Sequence, residues 1–134
     1  MVTVFVVETG LSENSSNNHS AIWEDAIMDV FFEAGHIVSN APILRLDLKP
    51  RGDILETFAV ELEEGRRFGI DFALIAILEF SPDAQSVNEI SFYIYRLNSG
   101  ERIYERQIPA RENRSFDLNE IKAIARGLVP FVRQ

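Results

Sequence analysis

Val2-Thr3-Val4-Phe5-Val6-Val7 is β-branched and almost continuously apolar, the pattern of a strand buried on both faces. Residues 8–20 are polar and rich in Ser and Asn, which predicts a loop. Asn18 or Ser20 is placed to cap the helix that follows by accepting from a free backbone N–H. From about Ala21 to Ala34, the residues Ile22, Trp23, Ala26, Ile27, Val30 and Phe31 fill one broad stripe at helical spacing, and Gly35 supplies the stop. His36-Ile37-Val38-Ser39 reads as a short strand ended by Ala41-Pro42. Leu44, Leu46 and Leu48 alternate with Arg45 and Asp47, which fits a strand or an extended connection. A second helix follows Gly52-Asp53, where Asp53 and Glu56 have capping-box spacing. Its inner face is Ile54, Leu55, Phe58, Ala59 and Leu62, and Glu63 can pair with Arg67 one turn on. Gly65 weakens this helix and Gly69 ends it.

The segment Ile70–Phe80 is apolar on both alternating faces from Phe72 to Leu78, so it is expected at the sheet centre. Ser81-Pro82-Asp83 breaks it, and Ile90–Leu97 is the next strand. A two-residue turn at Ser99-Gly100 would set Tyr95 opposite Tyr104 and Tyr93 opposite Arg106. The return strand from Arg102 to Ile108 is more polar and reads as an edge. After a charged loop, Asp117 and Glu120 repeat the capping-box spacing. The third helix is expected to bury Leu118, Ile121, Ile124, Ala125, Leu128 and Val132, with a kink or fraying at Pro130. The pattern predicts one α/β domain over 1–134, with about three helices and a mixed, mainly five-stranded sheet in the order β-α-β-α-β-β-β-α.

Composition narrows the function more than it names it. A chain of 134 residues with 46% apolar content can bury a core without staples, and the absence of Cys excludes disulfides, thiolate metal sites and cysteine nucleophiles. A net charge of −8 argues against nucleic acid and against an anionic membrane surface. No segment is long and apolar enough for membrane insertion. The run Val2–Val7 is too short for a signal peptide and has no basic flank. The expectation is either a cytoplasmic protein or a mature portion with a start Met added.

Two local motifs carry a resemblance. Gly69-Ile70-Asp71-Phe72 stands where a helix enters a buried strand, and Ser99-Gly100-Glu101 stands at the hairpin turn. With the pattern from Ile22 to Val38, the chain resembles the N-terminal domain of the Tol-Pal system's periplasmic β-propeller protein. Related modules occur in curli-secretion lipoproteins and in lipoprotein activators of penicillin-binding proteins. The fold is also similar to the anticodon-binding domain of class II tRNA synthetases, a likeness of architecture that implies no tRNA function here. The resemblance implies a non-catalytic protein-interaction module of a bacterial envelope assembly, in the periplasm if an export signal was removed and in the cytoplasm otherwise.

The residues themselves offer few sites. His19 and His36 lie at opposite ends of the first helix, roughly 20 Å or more apart, so zinc and a His-dependent nucleophile are not expected. Asp25, Asp29 and Glu33 share one helix edge and read as a solvated face. No Gly-x-Ser-x-Gly motif is present, and neither a metal, a cofactor nor an enzymatic activity is expected. Met28 and Phe32 fall on the side of the first helix away from its stripe. They are either a partner-binding surface or are covered by a second layer such as Leu44–Leu48. Tyr104 and Arg106 on the return strand are the next candidates, since strand 102–108 can accept a partner segment or pair with a second copy as a homodimer. The partner expected is another envelope protein. The alternative is a cytoplasmic small-molecule or anion-binding domain using the 10–20 loop, with Gly10, Ser12, Ser15, Ser16 and Ser20 as ligand contacts at a helix N-terminus.

Overall fold

A computed structural model describes residues 1–11, 18–46, 54–81, 87–109 and 116–132, with the side chains of Ile54 and Leu55 excepted. The elements are β1 Val2–Thr9, α1 His19–Glu33, β2 Val38–Asn40, β3 Leu44–Leu46, α2 Ile54–Thr57, α3 Ala59–Arg67, β4 Phe72–Phe80, β5 Val87–Arg96, β6 Glu101–Pro109 and α4 Leu118–Leu128. A 3₁₀ turn, Val129–Val132, follows α4. The main path of the sheet is β2-β1-β4-β5-β6. β1 lies parallel to β2, β3 and β4, while β5 is antiparallel to both β4 and β6. The fold is the mixed α/β class that the sequence pattern predicts.

The alternation resolves as a strand over Leu44–Leu46, with Asp47 and Leu48 outside the described residues: β2 pairs with Val2–Val4 and β3 with Val7–Thr9, so two short strands lie in line along one edge of β1. The continuous apolar runs of β1 and β4 follow from their position, because both faces of the sheet are covered. One face buries Val2, Val4, Val6, Leu74, Ala76, Leu78, Ile90, Phe92 and Ile94 under Trp23, Ile27 and Phe31 of α1 and Ile121, Ala125 and Leu128 of α4. The other buries Phe5, Val7, Ala73, Ile75, Ile77, Tyr93 and Tyr95 with Phe58 and Leu62. At about 25 cal/mol per Å² of apolar area, these two faces are the main source of stability.

Gly10 turns the chain out of β1 at φ +79°, and a Cβ there would lie 3.0 Å from the Phe80 backbone oxygen. Both the conformation and the space require glycine.

Several local expectations are corrected. The second helix is broken in two at Phe58, whose backbone (φ −112°, ψ 21°) leaves helical geometry while its side chain is buried. Ala59 is exposed, not inward. Ile22 and Leu118 are exposed too, since each sits in the first turn of its helix beyond the layer that covers the stripe. Asn18 occupies the N-cap position of α1 without a side-chain hydrogen bond. The Asp117 carboxylate does cap α4, accepting from the Glu120 N–H at 2.8 Å. Pro130 ends α4 in the 3₁₀ turn, as its missing N–H demands. Asp53 lies outside the described residues.

The hairpin register also differs from expectation. The turn spans Leu97–Gly100, not two residues, and Gly100 closes it at φ +71° with its N–H on the Arg96 oxygen. Arg96 therefore faces Glu101 and Tyr95 faces Arg102. A bulge then resets the ladder, so that Ile94 faces Tyr104, Tyr93 faces Glu105 and Phe92 faces Arg106.

Candidate interaction surfaces

The parallel strands β1, β2 and β4 all begin at one end of the sheet, in register at Val2, Val38 and Phe72. Three chain segments converge there. The end of α1 leads through His36, whose N–H donates to the Phe31 oxygen, to Ile37, whose carbonyl accepts from the Val2 N–H at 2.9 Å. α3 closes with the Phe68 N–H on the Glu64 oxygen, and the next residues, Asp71 and Phe72, both donate to the Met1 oxygen. These segments carry the large apolar side chains that the fold leaves in water: Phe32 is 72% exposed, Ile37 69% and Phe68 75%. Val60, on the outer side of α3, is 76% exposed.

Phe32 is thus where helical spacing puts it, facing solvent. Met28 is not its equal, because it is half-buried and packed against the core. Glu24, one turn before Met28 on the same helix edge, accepts from Asn40 Nδ2 of β2, so this edge of α1 lies toward the sheet. Ile37, Val60 and Phe68 are additions from the structure. Their burial depends on which strand and helix faces are covered, and the only sequence signal was an apolar residue just before the helix stop Gly69.

Tyr104 sits on the face shared with α1 and α4, where its ring meets Phe131 at 4.4 Å between centroids, tilted by 41°. Arg106 is exposed on the same strand and has no ion pair among the described residues. Tyr93 and Tyr95 are buried on the opposite face. Of the loop candidates, Gly10 is exposed. Ser20 lies in the buried stripe of α1 with its Oγ unpartnered, and Ser12, Ser15 and Ser16 lie outside the described residues. His19 packs on Phe80 and His36 on Phe31, which uses each ring for packing at its own end of α1. Asp25, Asp29 and Glu33 are all exposed. Among the described residues, no group of three or more His, Asp or Glu side chains is placed to hold a metal ion.

An open cleft of about 330 Å³ runs between α3 and the β1–β2 edge, walled by Phe5, Ala41, Leu44 and Phe68 with Glu61 and Glu64 on α3. Beside it, Arg66 holds Glu63 at 2.6 Å, and Arg67 approaches the same carboxylate at 3.6 Å. The Arg66 hydrogen bond keeps the Glu63 carboxyl below its usual range. This arrangement offers shape and charge for contact, and it sets no nucleophile beside a base.

A family model described as "Uncharacterised protein" matches residues 2–124, and the chain belongs to that family. No curated protein matches it. Among solved structures, the PelC dodecamer from Paraburkholderia phytofirmans is similar at TM-score 0.52 and 16% identity, covering 99% of this chain and 88% of that one. TolB from Acinetobacter baumannii is similar at TM-score 0.51 and 8% identity, covering 97% of this chain and 27% of that one. At these identities the likeness is one of fold, and it places the chain in the architecture that the resemblance read from the sequence implies.

Proposed function

We propose that this domain is a non-catalytic protein-interaction module of a bacterial envelope assembly. In this reading Phe32, with Ile37 and Phe68, forms the principal contact surface, and Met28 lies at its buried margin. Tyr104 and Arg106 belong to a second surface, on the β6 edge. The observation that carries the reading is the strong exposure of three large apolar side chains, Phe32, Ile37 and Phe68, on the segments that lead to the starting end of the parallel strands. Aromatic side chains are enriched at protein contacts relative to the rest of the surface. The acidic balance, −8, supports a protein partner over nucleic acid. The envelope assignment rests on the Gly69–Phe72 and Ser99–Glu101 motifs together with the fold shared with TolB. Among the described residues, no helix is long and apolar enough to cross a membrane.

Affinity capture from cells of the source organism, with Phe32→Ser and Phe68→Ser variants as controls, tests the reading. It predicts an envelope protein that is captured by the parent domain and lost with either variant. Capture that is indifferent to both substitutions would refute it. So would the absence of a partner together with a small molecule retained in native mass spectrometry. That second outcome would favour a ligand site at the 10–20 loop.

A further inference from the structure

β6 is the last strand of the sheet and pairs only with β5 among the described strands. It begins Glu101-Arg102-Ile103-Tyr104-Glu105-Arg106. Laid antiparallel against itself about the Ile103–Tyr104 bond, this segment sets every acid opposite a base. Glu101 meets Arg106, Arg102 meets Glu105, and Ile103 meets Tyr104.

A regular strand could not use this complementarity. Residues directly opposed in an antiparallel pair share a face, whereas residues five apart in a regular strand point to opposite faces. The bulge removes the obstacle. The register steps from Tyr95–Arg102 to Ile94–Tyr104, which leaves Ile103 as the extra residue. Glu101 lies opposite Arg96, whose guanidinium covers the Phe72 ring of the α1/α4 face. Tyr104 and Arg106 lie opposite Ile94 and Phe92 of that same face, and Ile103 packs against it as well. Arg102 and Glu105 lie opposite Tyr95 and Tyr93 of the other face. The strand itself reports the change, since Arg102 reaches Glu105, three residues on, at 3.4 Å.

From this we propose that β6 pairs antiparallel with β6 of a second copy of this chain, in the register that opposes Glu101 to Arg106 and Arg102 to Glu105. The two bulges then coincide at the two-fold axis, and the sheet runs continuously through the dimer. The centre on the α1/α4 face is apolar. Ile103 and Tyr104 of both copies meet there, flanked by the exposed Phe131 rings that already stack on Tyr104. Each charged pair occurs twice around that centre, an apolar middle with a polar rim. The paired segment ends at Arg106, opposite Glu101, where the partner's β6 begins. The net charge of −8 on each copy opposes association, but distant charges are screened beyond about 8 Å at physiological salt, and the opposed pairs are not. This inference does not depend on the envelope reading.

Charge reversal tests the register itself. Glu101 and Arg106 are both exposed, so their variants should fold, which circular dichroism checks. Sedimentation equilibrium of the unmodified protein should show a dimer. Glu101→Arg alone and Arg106→Glu alone each set like charges against each other, and each should weaken self-association by at least about tenfold. An equimolar mixture of these two single variants should associate as a heterodimer, and the double variant should dimerise again. A monomeric unmodified protein, single variants that stay dimeric, or a mixture that stays monomeric would each overturn the proposal. A monomer would leave the Phe32 and Phe68 surface, and its capture test, untouched.

Discussion

Phe32 and Met28 stand one turn apart on α1, yet only Phe32 reaches water. Helical spacing shows which side of α1 a residue occupies. It does not show that this edge of α1 lies toward β2, where Glu24, one turn before Met28, accepts from Asn40 Nδ2. The two positions should therefore respond differently. Phe32→Ser should change stability by no more than about 0.5 kcal/mol, whereas Met28→Ser should cost about 1–2 kcal/mol in urea unfolding. Gly65 is a quieter case. It reads in the sequence as a weak point of a helix, but a Cβ there would come within 3.2 Å of the Leu97 side chain, so the glycine lets α3 approach the hairpin turn. Gly65→Ala should destabilise despite its better helix propensity; a gain in melting temperature would show that Leu97 gives way. Glu63 bears on pH. Its pKa is lowered by Arg66, so its contribution is present above the ordinary carboxylate range and is lost as pH falls through the lowered pKa. Full exposure keeps that contribution small, and Glu63→Gln should leave the acid-unfolding profile nearly unchanged.

At the scale of elements, the strands and helices set by strong local periodicity were legible: β1, α1, β4, β5 and α4 all lie where apolar spacing predicts them. What escaped was set by partners distant in sequence. The break at Phe58 and the split edge β2 and β3 depend on what those residues pack against. The hairpin register was missed because a Gly closing a four-residue turn and a Gly within a two-residue turn look alike in sequence. The capping interaction that the sequence and the structure share among the described residues is testable. Removing the Asp117 carboxylate as Asp117→Ala should cost about 1 kcal/mol, read as a lower urea midpoint at unchanged slope.

For the whole molecule, the organising fact is a sheet covered on both faces, with its central strands β1 and β4 buried along almost their whole length. Leu74 is fully buried between these strands and the α1/α4 layer, and Leu74→Ala should cost about 2–5 kcal/mol. Fold class was legible because this two-sided burial leaves unbroken apolar runs. The candidate surface was legible only at Phe32. Ile37 and Phe68 lie far apart in sequence, and their exposure depends on which helix and strand faces the fold leaves uncovered. A fold of this kind presents both an open edge and an apolar end, two surfaces suited to assembly.

The central claim is that the Phe32, Ile37 and Phe68 end of the sheet meets a protein partner in the envelope. Its most direct measurement is photo-crosslinking in intact cells, with the reactive group placed in turn at Phe32, at Phe68 and at the exposed control position Asn119 on α4. The account predicts the same envelope-protein adduct from Phe32 and Phe68 and none from Asn119. Adducts of equal yield at all three positions, or none at either phenylalanine, would contradict it.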